Sequence, residues 1–196
     1  MMDLRSTEAP AGPQACPYHE PASEPTPTKV GADEFKQVFR HHPAGVAVVT
    51  ADDGTGPVSM TVSSVFSINA DPPLLGFSAS HHSSSTNTIR NAKTIVVHMT
   101  AADEIALAKL GAASGVDRFA GTNWARLSTG EPYYTDATTW MRCRIINCLD
   151  LGSSYVFVVQ ALEAKTPPAT TGNAGRSALV YHDRAWHQLD ANSRLD

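Results

Sequence analysis

Cysteine is scarce in this chain: Cys16, Cys143 and Cys148 are its only three, and no two of them form a CxxC pair. An odd count without that spacing excludes a disulfide framework or a zinc ribbon as the organising device. No apolar run approaches the roughly 18 residues of a membrane span. The opening MMDLRSTEAPAGPQACPYHE lacks the apolar stretch of a secretory signal, so the chain reads as cytoplasmic with no membrane partner. Excess positive charge is missing too. Fifteen Lys and Arg against 19 Asp and Glu leave a formal net charge of -4, a balance that gathers no nucleic acid.

The signatures of several common chemistries are also absent. There is no GxxxxGK[ST] loop and no Rossmann glycine fingerprint, which removes the familiar nucleotide folds. There is no HExxH, and the adjacent pairs His41-His42 and His81-His82 would point to different faces of any strand or helix, so no metal centre is expected. Gly-x-Ser-x-Gly is missing, and no serine is tied by spacing to a His and an Asp. His98, inside TIVVHMT, reads as a core or interface histidine rather than a ligand.

What is present suffices for one domain, since 42% of 196 residues are hydrophobic. Residues 1–30 carry six prolines among Ala, Ser, Thr and Glu and read as a disordered arm. The domain is expected over 31–190, and 191–196 form a short tail. From Ala32 the spacing of Phe35, Val38 and Phe39 predicts an amphipathic helix to about His41, with Asp33 at its N-cap. GVAVVTA (45–51) is a β-rich run ending in DDGTG, a hairpin signal. Further strands are expected at 59–68, 74–80, 94–100, 140–151, 154–164, 178–182 and 185–189. A helix capped by Thr100 should carry Ile105, Ala108 and Leu110, and a second one Val116 and Phe119. Cys143 and Cys148, five apart on one regular strand, would face opposite sides. Many β runs and few helices imply an antiparallel barrel with helices at its ends.

Between the strand LLGFSAS and the turn STNTIRNA lies a hydroxyl-rich run, SHHSSST (80–86). Serine and threonine hydroxyls beside a helix start suit a phosphate, with Arg90, Lys93 and Arg118 available as cations, and they equally suit a simple turn cap. His182, Asp183, Arg184 and His187 in YHDRAWHQL could reach the same pocket, but a hairpin turn explains His182 to Arg184 equally well and is the safer reading.

Five separated blocks, FRHHPAGVAVVTA (39–51), MTVSSVFSINADPPLLGFS (60–78), SSSTNTIR (83–90), DRFAGTNW (117–124) and ALVYHDRAWHQL (178–189), together resemble the flavin reductase-like proteins of the FMN-binding split-barrel superfamily. The resemblance spans about residues 33–189. It implies a mainly β, antiparallel Greek-key split barrel with a few peripheral helices, homodimeric, with FMN or FAD near the subunit interface. Carried over by position, Met60, Thr61, Val62 and Ser63 would line the flavin ring. Ser78, Ser80, Ser84, Ser85 and Thr86 would lie toward the ribityl phosphate, and Arg118 with Phe119 would close the site. Such proteins oxidise NADH or NADPH and pass reduced flavin by diffusion to a separate monooxygenase. The flavin performs the hydride chemistry, so the protein needs no acid or base of its own. In one place the chain departs from the family: where many members carry Gly-Asp-His near the nicotinamide, it reads Gly152-Ser153-Ser154. Ser154 thus stands where an imidazole is expected. That departure keeps open a split-barrel flavoprotein with another substrate and a noncatalytic flavin-binding subunit.

Overall fold

In the computed structural model, which describes residues 29–167 and 176–195, the run AVVTA becomes β2 (Ala47–Ala51), every residue of which is buried. A near-continuous apolar run is what a strand covered on both faces requires. Ala47, Val49 and Ala51 point into the main core, whereas Val48 points the other way, into a smaller cluster with Phe119, Tyr134 and Ala137. The Pro-rich arm lies almost wholly outside the described residues.

Around β2 the chain builds one seven-stranded antiparallel sheet. Its members are β3 (Val58–Val62), β4 (Phe66–Ala70), β5 (Pro73–Ser80), β6 (Thr94–Met99), β9 (Trp140–Asp150) and β10 (Ser154–Lys165), in the order β3-β2-β6-β9-β10-β5-β4. A second sheet joins β1 (Ala44–Gly45), β11 (Ala178–His182) and β12 (Ala185–Leu189), and a short pair joins β7 (Trp124–Arg126) to β8 (Pro132–Tyr134). Among the described residues the helices are few: α1 (Ala32–Arg40), α2 (Thr86–Asn91), α3 (Ile105–Ala112) and two single 3₁₀ turns. This is the mainly β, antiparallel split barrel with peripheral helices that the sequence led us to expect.

Five local expectations change. The strand expected over 59–68 is two strands, β3 and β4, which form the opposite edges of the large sheet. The three residues 63–65 carry the chain from one edge to the other and close the barrel. Ser64 makes the closure: its Oγ donates to the Ser78 carbonyl at 3.2 Å and accepts from the Ser78 amide at 2.9 Å, standing in for a ladder partner. The helix expected to carry Val116 and Phe119 is a loop. There the Asp117 carboxylate accepts from the amides of Phe119 and Ala120, and Gly115 and Gly121 each adopt φ 71°, so a local turn outcompetes the helix. Thr100 does not cap the following helix. Its hydroxyl donates to Val46 O, and the Glu104 carboxylate accepts from the Ala101 amide instead. Asp33 sits inside the first turn of α1, where Gly31 is the N-cap. Finally, the pairing of β9 with β10 skips Ile146, so this bulge turns Cys148 to the same core as Cys143. Both thiols are free.

Candidate functional site

Alternation along β5 sets the first wall of the site. Phe77 and Ala79 enter the core, so Ser78 and Ser80 must face the other side. There they meet the end of β3, the loop after β5 and the loop after α3 around a cavity of about 620 Å³. Eight of the eleven residues assigned to flavin by resemblance line it: Met60, Thr61, Val62, Ser63, Ser78, Ser80, Ser84 and Arg118. Ser83 of the hydroxyl-rich run lines it too, as do Ser64, His82, Ser114 and Gly115, which escaped the sequence reading.

Ser85, Thr86 and Phe119 stand beneath this cavity rather than in its wall. Ser85 and Thr86 are both about 1% exposed. The Ser85 hydroxyl donates to Ser59 O at 2.9 Å, and that of Thr86 to Ser80 O at 2.8 Å. Phe119 stacks on Tyr134 with centroids 5.3 Å apart and meets Trp124 edge-on. These three groups build the floor. Gly111 presses α3 onto β3 so closely that a Cβ there would collide with the Thr61 side chain and lie 3.0 Å from its backbone nitrogen. The Thr61 hydroxyl ties the same contact by donating to Ala108 O at 2.7 Å.

Arg118 is the cation of the cavity. Its Nε and Nη2 donate to Ala113 O at 3.1 and 2.6 Å, and its Nη1 donates to Ser59 O at 2.6 Å and to Ser85 Oγ at 2.7 Å. Four bonds fix the guanidinium, yet all go to neutral oxygens, and among the described residues no carboxylate pairs with it. Its charge therefore remains uncompensated beside a set of hydroxyls, a donor set suited to a polyhydroxylated phosphate ester. Arg90 and Lys93 do not join it. Arg90 Nη1 donates to Tyr155 OH at 2.7 Å, and Lys93 lines a different, acidic cavity with Asp52, Asp53 and Glu131.

A chain of contacts supports the floor from below. Buried His98 donates from Nδ1 to Val48 O at 2.9 Å and accepts the Tyr134 amide at Nε2 at 3.2 Å, and Tyr134 OH donates to Arg118 O at 2.8 Å. Burial pulls the His98 pKa down to about 4, so the ring is neutral with both nitrogens satisfied.

A second cavity, about 810 Å³, opens beside the first and shares Ser63, Ser64 and Ser78 with it. Its other walls come from α1, residues 42–45, Val65 and Phe66, and the β11–β12 hairpin. Ser154 lines neither cavity. It pairs with Ser80 at the start of β10, while the His81 amide donates to Ser153 O at 3.0 Å. The His81 ring stacks on Tyr155 at 4.0 Å, and its Nε2 lies 3.3 Å from Asp150 Oδ1. The imidazoles near Ser154 thus come from the loop after β5, and His82 of that loop lines the first cavity. Among the described residues, no group of three or more His, Cys, Asp or Glu side chains is disposed to hold a metal. No helix among the described residues is long and apolar enough to cross a membrane.

Comparison with known proteins matches residues 39–190 to the family described as flavin reductase like domain. The chain is 33% identical over 162 residues to an NADH:FMN oxidoreductase of Rhodococcus qingshengii, an alignment that covers 82% of this chain and 83% of the relative. It is 30% identical to the reductase component of a 4-nitrophenol 4-monooxygenase/4-nitrocatechol 2-monooxygenase of Rhodococcus opacus, covering 83% and 89%. The crystal structure of a flavin reductase domain protein from Arthrobacter sp. FB24 superposes with a TM-score of 0.75 at 32% identity, over 84% of this chain and 97% of the other.

Proposed function

The chain belongs to the flavin reductase like domain family, and on that premise we propose that it is a flavin reductase that uses NADH to reduce FMN or FAD for a partner monooxygenase. The observation that carries this reading is Arg118, fixed at the floor of a serine-lined cavity with no carboxylate paired to it among the described residues. That donor set fits a ribityl phosphate. Ser80, Ser83 and Ser84 supply hydroxyls on the side of the loop after β5, with Arg118 below them. Ser63, Ser64 and Ser78 form the end that adjoins the second cavity. Bound flavin supplies the hydride chemistry, which accounts for the lack of a catalytic acid or base among these residues. The protein's own work is to hold the flavin between β3 and β5, and to leave the junction at Ser63, Ser64 and Ser78 open to a second molecule.

Two finer features belong to the same reading. A homodimer is supported by β4, an edge strand with all five residues exposed, including Phe66 and Ile68, a surface that a second copy would cover. A cytoplasmic placement is supported by the free thiols Cys143 and Cys148.

The test is titration of the purified protein with FMN and with FAD, followed by the nicotinamide absorbance after NADH is added, with Arg118→Ala in parallel. We expect flavin-dependent NADH oxidation, and flavin affinity at least about tenfold weaker in Arg118→Ala. Flavin binding without NADH oxidation would move the assignment to a flavoprotein with another substrate. Absence of flavin binding would remove the reading altogether.

A further inference from the structure

The turn between β11 and β12 has two residues, Asp183 and Arg184, closed by the pair His182 and Ala185. Both central residues lie in the left-handed region, Asp183 at φ 46° and Arg184 at φ 64°. A two-residue hairpin of this kind favours Asn or Asp followed by Gly. Asp183 meets that preference and Arg184 does not, so the chain holds a long, branched cation in a backbone conformation that glycine would adopt without strain.

The position of Arg184 suggests what the strain maintains. Its side chain lines the second cavity, and among the described residues it has no hydrogen bond or ion pair. Asp183 is occupied elsewhere: its amide donates to Arg40 O at 3.1 Å, and its carboxylate lies 3.9 Å from Arg40 Nε. Among the described residues that line the cavity, Lys36, Arg40 and Arg184 stand against one carboxylate, Asp183, so this lining carries an excess of positive charge. Phe35, Phe39 and Tyr181 add flat apolar walls. Two further cavities carry a net negative lining, one with Asp103, Glu104 and Asp136 against Arg176 and the other with Asp52, Asp53 and Glu131 against Lys93 and Arg126, and neither shares a residue with the serine cavity. That charge balance disfavours a polyphosphate there.

The geometry points to the second cavity as the site of the dinucleotide hydride donor, with Arg184 binding its phosphates. This rests on the reading of the chain as an NADH-dependent flavin reductase. The donor's reactive ring must reach the flavin through Ser63, Ser64 and Ser78, where the two cavities meet, and its pyrophosphate then lies toward α1 and the hairpin. A guanidinium there offers paired N–H donors as well as charge.

Arg184→Gly separates strain from binding, because the two move in opposite directions. Relief of the left-handed arginine should raise Tm by about 2–4 °C. Loss of the guanidinium should raise the KM for NADH, and the Kd for NAD+ titrated calorimetrically into the FMN-loaded protein, by about tenfold. The FMN affinity should stay within about twofold, and Arg184→Lys should recover part of the NAD+ affinity without the gain in Tm. A more stable Arg184→Gly protein with unchanged NAD+ affinity overturns the assignment. A loss of FMN affinity in place of NAD+ affinity also overturns it, by giving Arg184 to the flavin phosphate. Wild-type protein that binds FMN but neither binds NAD+ nor oxidises NADH removes instead the reading of function on which the assignment rests.

Discussion

The two cavities that meet at Ser63, Ser64 and Ser78 are built by opposite means. The serine cavity is walled by β3 and β5 and floored by buried groups whose polar atoms bond to one another: Ser85 to Ser59, Arg118 to Ala113 and Ser59, Tyr134 to Arg118. The second cavity is walled by α1, which has no buried residue, and by a strained hairpin turn joined to the end of that helix. The first is preorganised and the second adaptable. For a reductase this division is physically sensible, since flavin must be held in a fixed orientation while the dinucleotide must enter and leave in each cycle. Damage near the serine cavity should therefore cost stability, and damage to the second cavity should cost almost none.

The largest effect is expected from acid. His98 braces the floor of the serine cavity as a neutral ring, with its pKa pulled from 6.5 down to about 4, chiefly by burial. Above about pH 6.5 neither the folded nor the unfolded chain protonates it. As the pH falls below 6.5 the unfolded chain takes the proton first, so stability declines until the folded ring protonates near 4. The total loss is about 3 kcal/mol. Urea denaturation at about pH 7.5 and about pH 4.5 measures it. His98→Gln should be less stable at the higher pH and should show a flatter dependence. An equal slope in both proteins would assign the acid sensitivity to other groups.

A smaller effect should follow Gly111→Ala. The added methyl collides with the Thr61 side chain and lies 3.0 Å from the Thr61 backbone nitrogen, so α3 must move off β3. The expected cost is about 1–3 kcal/mol by thermal or urea unfolding, with flavin affinity weakened as well, because Thr61 and Gly111 both line the serine cavity. Unchanged stability would mean that α3 shifts freely, and that the serine cavity is less rigid than its hydrogen bonds indicate.

How much of this was legible in the sequence follows the same division. The fold was readable because local patterns favour it: GVAVVTA is β-rich and becomes a strand, DDGTG makes the hairpin, and LLGFSAS forms the strand that carries Ser78 and Ser80. The break at Ser64 was not. Nothing local distinguishes SMTV-SSV-FSI from one long strand, and only closure of the barrel on Ser78 makes the break favourable. Nor does a run of hydroxyls reveal its own directions. Ser84 opens to the cavity while its neighbours Ser85 and Thr86 satisfy carbonyls below. The bulge at Ile146, which reverses the facing of Cys148, leaves no trace in composition. The second cavity was invisible for a plainer reason: its walls come from residues 35–45, 63–66, 78 and 181–184, which only tertiary folding brings together.

The smallest expected effect on stability tests the comparison from its other side. The Phe35 and Phe39 rings meet at a tilt with centroids 4.7 Å apart, and each remains 56% exposed. Truncating either forfeits little buried area, so Phe35→Ala and Phe39→Ala should each change unfolding free energy by no more than about 0.5 kcal/mol. Both rings nevertheless face the second cavity. If that cavity receives the dinucleotide, each truncation should raise the KM for NADH severalfold while leaving the FMN affinity unchanged, a separation that global destabilisation cannot produce. A fall in FMN affinity would instead mean that α1 belongs to the flavin site and that the two cavities act as one. A large loss of stability would mean that α1 is held down by a partner surface, and sedimentation of the variants beside the wild type would show it as a change in mass.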